Sequence, residues 1–262
     1  MRLVELRDRV RIEEFLRRDT PLHVYEIGDL DPFFWPATTW YGIEDEPAGL
    51  RAIALIYTTS DNVTLLAFSR DDPEAVERLI DRIQASLPQR FHAHLSPGLM
   101  DRLTGAWQAS HLSEAIKMHL PGPDRLMPCD TRDVQRLSAA DLGEVETFYA
   151  AAYPGNWFDA RMLRTDQYFG IRRGGKLACV AGVHVYSRAL RVAALGNIAT
   201  LPQYRRQGLA RRATARLCQS LLQDVDTLGL NVHCENRAAV ACYASLGFET
   251  VAPYVEAWFA RF

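Results

Sequence analysis

The sequence predicts an α/β protein built from two successive halves with the same order of elements. Apolar residues make up 48% of the 262 residues and the formal net charge is −2, which favours a chain with a buried core and excludes intrinsic disorder. Hydrophobic periodicity gives each half the order helix, three strands, helix, strand, helix, strand. Residues 120–124 place two prolines around a glycine, which interrupts regular structure between the halves. We therefore expect two domains, residues 1–123 and 124–262.

In the first half, residues 10–18 carry apolar side chains at helical spacing. A second helix is expected to begin at Asp72, because Pro73 suits a first helical turn and acidic residues there complement the helix dipole. The predicted strands are 38–42, 50–58, 63–68 and 91–95, and the predicted helices are 10–18, 72–85 and 97–103.

In the second half, Ser138 is a favourable helix N-cap and Gly247 a favourable C-cap. The Gly174-Gly175 pair is typical of a hairpin turn. The predicted strands are 133–137, 168–172, 176–186, 191–200, 228–234 and 248–259. The predicted helices are one that starts at Ser138, and 157–164, 208–224 and 237–246.

Charge and cysteine usage narrow the class of protein. The near-neutral net charge argues against a dedicated nucleic-acid binder. Five cysteines without a CxxC pair favour reduced thiols over a disulfide framework. The charged N-terminus is unlike a secretory signal, and no apolar run approaches the ~18 residues of a membrane span. These features predict a soluble, cytoplasmic protein without membrane contact.

One segment, residues 198–210, predicts an anion-binding turn, because a strand leads there into a helix that starts near Gly208. The first amides of a helix lack intrahelical partners and point outward, and the helix dipole adds positive potential. Gly208 and Ala210 are small enough for phosphate oxygens to approach the backbone. Arginines at 205, 206 and 211 add positive charge. Taken alone, the segment is more simply explained by an ordinary helix start with a solvated basic face.

A later segment, residues 230–248, adds a strand that ends before Asn236 and a helix that carries Tyr243. Alone, Asn236 is most simply a helix N-cap and Tyr243 a half-buried packing residue. Together and in this order, the two segments resemble the GCN5-related N-acetyltransferase (GNAT) superfamily. Its R/Q-x-x-G-x-G/A motif is matched by residues 205–210. Its N-x-x-A-x-x-x-Y-x-x-x-G-F pattern is matched from Asn236 to Phe248.

The resemblance covers about residues 130–262 and implies the GNAT fold, a mixed, mostly antiparallel central sheet flanked by helices. It further implies two tandem GNAT-like domains. The first would be degenerate, because residues 68–74 carry three acids and lack the glycines of a cofactor turn. In this interpretation the first domain has lost cofactor binding.

The resemblance also implies a binding site for acetyl-CoA as co-substrate. The strand edge would bond the pantetheine arm and the turn would hold the pyrophosphate, while Asn236 and Tyr243 would lie at the thioester end. The implied cofactor-binding residues are Ile198, Ala199, Thr200, Arg205, Arg206, Gln207, Gly208, Leu209, Ala210, Arg211, Asn236 and Tyr243.

In the implied reaction, an amine attacks the thioester directly in a ternary complex and Tyr243 protonates the leaving thiolate. The base is less defined. Many family members have a Glu on the strand before the cofactor turn, but residues 193–198 contain no acid. Glu235 and His233 are the main candidates and His184 is a further one, while Asn197 could orient a substrate or a water.

His92 and His94 share one face of a predicted strand, but no third ligand is evident, so no metal is expected.

Three functions are therefore weighed. The first is an N-acetyltransferase that acts on an amine of a small molecule or peptide. The second is a non-catalytic acyl-CoA-binding or sensing protein, which the missing strand Glu favours. The third is nucleic-acid binding through the basic residues of 205–216, which the overall charge disfavours. A homodimer is left open.

Overall fold

The computed structural model describes residues 1–46, 48–59 and 62–262. By their contacts, these residues form two compact units. The first unit contains Met1–Lys117, His233–Glu235 and Thr250–Phe262. The second contains Met118–Val232 and Asn236–Glu249.

The described residues form twelve strands and six α-helices. In chain order they are β1 Arg2–Leu6, α1 Arg9–Leu16, α2 Val24–Gly28, β2 Thr38–Asp45, β3 Gly49–Thr58, β4 Val63–Ala67, α3 Pro73–Ile83, β5 Arg90–Leu95, β6 Trp107–Leu120, β7 Val134–Arg136, α4 Leu142–Ala152, β8 Phe169–Arg173, β9 Lys176–Ser187, β10 Val192–Thr200, α5 Leu209–Leu221, β11 Thr227–His233, α6 Arg237–Ser245 and β12 Glu249–Arg261.

The two units share one pattern of strand pairing. In the first, the order is β1-β2-β3-β4-β5-β12, and only the β4–β5 pair among these is parallel. In the second, the order is β7-β8-β9-β10-β11, and only β10–β11 is parallel. Each unit thus has a run of four antiparallel strands, then a helix, and then a strand parallel to the fourth. The mixed, mostly antiparallel sheet and the repeated order of elements are confirmed.

The helix after the fourth strand supplies much of each core. In α3, Val76, Leu79, Ile80 and Ile83 are buried at helical spacing and pack in one cluster with residues of β3 and β5. In α5, an apolar stripe is likewise buried, formed by Leu209, Ala213, Leu217 and Leu221. A fully buried aliphatic side chain contributes about 1.5–3 kcal/mol of transfer free energy, so these faces hold the helices to their sheets.

Five predictions about elements were incomplete or wrong. Helix α2 was not predicted. Strands β1 and β6 were missed, because neither carries an apolar run or a strict alternation of apolar and polar residues along its whole length. The helix expected at 97–103 is a 3-10 turn, Leu99–Arg102. The helix expected at 157–164 is a 3-10 segment, Ala160–Thr165, which Asp159 caps through the amide of Arg161.

No helix in the described part of the chain combines the length and the apolar character that a membrane crossing needs.

Candidate functional site

The second unit contains an opening between two parallel strands. Strands β10 and β11 pair from Val192 with Thr227 to Leu195 with Leu230, and then the pairing stops. Strand β10 continues for five residues after Leu195, and β11 continues to His233. The opening therefore begins where β10 reaches the residues predicted to bind the pantetheine arm.

A bulge in β10 marks the start of the opening. The register with β9 shifts between Gly196 and Ala199, and Asn197 has a left-handed backbone with φ 53°. After the bulge, Ala199 and Thr200 pair again with β9. A strand has two hydrogen-bonding edges, and among the described residues the edge of 198–200 away from β9 has no pairing with β11. An extended chain can add to such an edge.

The turn after β10 presents an uncapped helix terminus. Arg206 and Gly208 have left-handed backbones with φ 60° and 72°. Gly208 is the N-cap of α5, and no side chain caps this helix among the described residues. A Cβ placed on Gly208 would meet no described atom within 4 Å, so open space lies in front of this amide-rich turn. The geometry is that of an anion site.

The arginines around the turn differ in whether they form hydrogen bonds or ion pairs with other residues. Arg205 Nε donates to the carbonyl of Thr200 at 3.2 Å, and Arg211 Nε donates to Ser245 Oγ at 3.2 Å. Arg212 is tied by an ion pair to Asp133 at 2.8 Å. For Arg206, no partner is found among the described residues. The basic stretch is therefore partly used to fix the turn and partly available to an anion.

Helix α6 of the second unit begins after Asn236 and contains Tyr243, two of the predicted site residues. Asn236 caps α6 and accepts the amide of Ala239 with its Oδ1 at 3.2 Å, so the simpler interpretation of this residue holds and only its NH₂ group remains for a ligand. Tyr243 is buried, with 8% of its surface exposed. Burial raises the pKa of Tyr243, so the phenol stays protonated at neutral pH and can act as a proton donor.

The candidate bases do not share one environment. His233 and Glu235 are exposed and group with the first unit, whereas Tyr243 belongs to the second. His233 Nε2 lies 3.7 Å from Glu256 Oε2 of β12. His184 lies on β9 over Gly196, so close that a Cβ there would come within 2.3 Å of the imidazole. Its ring packs edge-on against Trp157 at 5.6 Å between centroids.

The sequence did not reveal that Asn197 forms several hydrogen bonds within the protein. Its Nδ2 donates to Tyr168 Oη at 3.0 Å and to the carbonyl of Trp157 at 3.1 Å. Its own carbonyl accepts from Tyr149 Oη at 2.6 Å. These bonds fix the bulge and the segment before β8, so the side chain is a structural anchor rather than a free contact for a substrate or water. A polar residue inside an apolar strand, next to a glycine, was the available signal.

The corresponding place in the first unit is closed. Strands β4 and β5 stay paired to their ends at Ala67 and Leu95, and the amide of Ser96 donates to the carbonyl of Ala67 at 3.0 Å. Helix α3 starts with Asp72, whose carboxylate accepts the amide of Ala75 at 3.1 Å. Both the strand opening and the free helix terminus of the second unit are thus missing from this region.

Comparison with known proteins agrees with this geometry. Residues 132–248 match the model of the acetyltransferase (GNAT) family. The matched segment is the one that carries the two motifs noted in the sequence. Among curated proteins, the chain is 43% identical over 81 residues to the Escherichia coli K12 [ribosomal protein bS18]-alanine N-acetyltransferase. That match covers 30% of this chain and 53% of the relative, so the chain spans about half the length of the curated relatives it matches.

Solved structures extend the likeness to the whole chain. A Drosophila protein is similar over 99% of this chain and 98% of its own, with a TM-score of 0.70 and 14% identity. A tandem GNAT protein from the clavulanic acid biosynthesis pathway covers 99% of this chain and 98% of its own, with a TM-score of 0.55 and 16% identity. At these identities the likeness concerns the fold. The GNAT fold predicted from the sequence is confirmed.

Proposed function

We propose that this chain is an N-acetyltransferase that moves an acetyl group from acetyl-CoA to a primary amine. The observation that carries the proposal is the pairing of a strand opening with an uncapped helix terminus in one unit. The opening follows Leu195 on β10, and the terminus begins at Gly208 after the next turn. An extended arm that ends in a pyrophosphate matches both features.

The cofactor contacts follow from this arrangement. The free edge of residues 198–200 would bond the amides of the pantetheine arm. The amides of residues 207–211 would hold the pyrophosphate, because a helix start offers unpaired N–H groups and a positive dipole end. Arg206, which has no partner among the described residues, would add its charge. The NH₂ group of Asn236 would bond the inner part of the arm.

Tyr243 has the properties of the acid in the reaction. The amine nitrogen attacks the thioester carbonyl carbon, the C–S bond breaks, and the electron pair stays on sulfur. Tyr243 then donates its proton to the thiolate. Because burial raises the pKa of Tyr243, the hydroxyl is protonated across the neutral range. Backbone N–H groups of the free strand edge would stabilise the oxyanion.

The proton lost by the amine needs an acceptor. We propose His233 for this role ahead of Glu235, because β11 ends at His233 and Glu256 Oε2 lies 3.7 Å from its Nε2. A carboxylate beside an imidazole orients the ring. Glu235 is exposed, and no ion-pair partner for it is found in the described part of the chain.

The acceptor class to test first is the α-amine of a peptide that begins with alanine. This choice rests on the curated relative, whose name gives ribosomal protein alanine as its substrate. Thiol release from acetyl-CoA would be followed with such a peptide, with the same peptide blocked at its α-amine, and with free lysine. We expect release with the free α-amine and none with the blocked peptide.

A second candidate function is acyl-CoA binding without catalysis. It is favoured by the absence of an acid on β10 and by the structural use of Asn197. The two functions differ in turnover. Saturable acetyl-CoA binding without thiol release across small amines, lysine and free peptide amines would favour the sensor. Thiol release that falls in the Tyr243→Phe variant would favour the enzyme.

A further inference from the structure

The first unit contains a cluster of two imidazoles and one carboxylate, and the proposed reaction uses only the carboxylate, Glu256, beside His233. His92 and His94 lie on β5, two residues apart and therefore on one face. Strand β12 pairs antiparallel with β5, and its register puts Glu256 opposite His94 and Trp258 opposite His92. The third ligand that the sequence did not reveal is therefore Glu256, which is 162 residues away along the chain.

The geometry points to a site for a zinc-like divalent metal ion at His92, His94 and Glu256. Each residue offers one ligand atom, and these atoms all lie within 4.8 Å of one another. His94 Nε2 is 3.2 Å from His92 Nδ1. Zinc–nitrogen bonds of about 2.0–2.1 Å at a tetrahedral angle place two nitrogens about 3.3 Å apart, so these two atoms are spaced as ligands of one ion. Glu256 Oε1 is 3.9 Å from His94 Nε2.

The surroundings hold the three side chains in place. The Trp258 ring packs on His92 with centroids 5.0 Å apart, and the Tyr254 ring packs on His94 at 5.5 Å. Tyr254 Oη donates to Glu256 Oε1 and so fixes the orientation of the carboxylate. Residues that bind metals are commonly oriented by such a hydrogen bond from a neighbouring residue. All three ligand residues are half-buried.

Imidazole nitrogens and a carboxylate oxygen are donors that zinc accepts in proteins. A metal on Nε2 of His94 would leave a proton on its buried Nδ1, which has no partner among the described residues. That unpaired N–H group would weaken the affinity for the ion.

An ion at this place would link two distant stretches of chain. Strand β5 lies in the first half of the sequence, and β12 ends the described chain. A ligand that binds only the folded state stabilises it by mass action. The unfolding temperature should then rise with the Zn²⁺ concentration.

The test uses the untagged full-length chain, freed of metal with a chelator. Titration with Co²⁺ should give the visible absorption of a tetrahedral site at one equivalent, and Zn²⁺ should displace it. His92→Asn and Glu256→Gln should each weaken binding at least about tenfold. The matched control is His111→Asn, since His111 is exposed and its left-handed backbone with φ 52° tolerates asparagine. It should bind as the wild type does.

X-ray absorption of the zinc-loaded wild type provides a readout that needs no variant. Nitrogen and oxygen neighbours with two imidazoles support the site. Sulfur neighbours would contradict it, because they would assign the ion to some of the five free cysteines. Absence of Co²⁺ binding, or equal affinity in wild type, His92→Asn and Glu256→Gln, would also overturn the proposal.

Discussion

Substitution of Gly208 tests the proposed pyrophosphate site most sharply. The residue has φ 72°, and a Cβ there meets no described atom within 4 Å. In the free protein, Gly208→Ala and Gly208→Glu should therefore cost only the conformational strain of a left-handed residue, about 1–2 kcal/mol. Both variants should fold, and their loss of stability should be similar.

Binding should separate the two variants. A carboxylate at position 208 would stand beside a bound pyrophosphate. Two unit charges 4 Å apart interact by about 1 kcal/mol in water and about 4 kcal/mol at the effective dielectric constant of a protein surface. Gly208→Glu should therefore weaken acetyl-CoA binding roughly fivefold to several-hundredfold, whereas Gly208→Ala, which adds no charge, should weaken it less.

The matched control is Gly175, in the hairpin between β8 and β9. It also has a left-handed backbone, with φ 79°, and open space at its Cβ. Gly175→Ala and Gly175→Glu should lose as much stability as the Gly208 variants, measured by urea unfolding. They should keep wild-type affinity in calorimetric titration. If Gly208→Glu bound acetyl-CoA as tightly as Gly175→Glu, the assignment of the pyrophosphate to this helix terminus would be refuted.

Three further predictions concern protons and buried charge. Tyr243→Phe should lower the rate of thiol release more than the affinity for acetyl-CoA, and an unchanged rate in this variant would remove Tyr243 as the acid. Because burial raises the pKa of Tyr243, the wild-type rate should show no loss of this acid below pH 10. Lys117→Ala should lower the free energy of unfolding in urea by about 3–5 kcal/mol, because Lys117 is 3% exposed and faces buried Glu26. The double change Lys117→Met with Glu26→Gln should lower it less, because no buried charge is left without its partner. Equal losses in the two variants would show that the pair is unimportant. Burial raises the pKa of Glu26, but Lys117 and His23 outweigh it and lower this pKa from 4.5 to about 2. Ionised Glu26 therefore contributes roughly 3 kcal/mol to the free energy of unfolding above pH 4.5, and this contribution is lost as the pH falls toward 2. Glu26→Gln should flatten the pH dependence of stability in that range, and an unchanged slope would argue against this role of Glu26.

Local signals in the sequence predicted the helices that matter for the site. The apolar stripe of α5 and the acidic start of α3 depend on residues three or four apart, which sequence spacing reveals directly. The GNAT motifs then identified the family of residues 132–248. Asn236 as a helix cap follows from the same kind of short-range pattern.

Features that depend on distant pairing were not predictable. The opening beside β10 exists because β11 stops pairing after Leu230, and no local residue pattern encodes where two strands part. Glu256 meets His94 only through the register of β12 with β5. The division at residues 123 and 124 stays a prediction. By their contacts, residues 233–235 and 250–262 group with the first unit although they lie in the second half of the sequence.

The role of Asn197 illustrates a third limit. Its left-handed backbone and its bonds to Tyr168 and Trp157 require a bulge whose position is set by the pairing of β9 with β10. Sequence reasoning gave it a contact with substrate or water, because an amide inside an apolar strand needs a polar partner. The partners are supplied by the protein itself.

The most direct test of the account is the stoichiometry of acetyl-CoA binding to the full chain by calorimetry. The account predicts one equivalent, because within residues 1–46, 48–59 and 62–262 only the second unit combines a strand opening, after Leu195, with an uncapped helix, at Gly208. In the first unit, β4 and β5 stay paired and Asp72 caps α3. Two equivalents would contradict the closed state of the first unit. No binding would contradict the cofactor site itself.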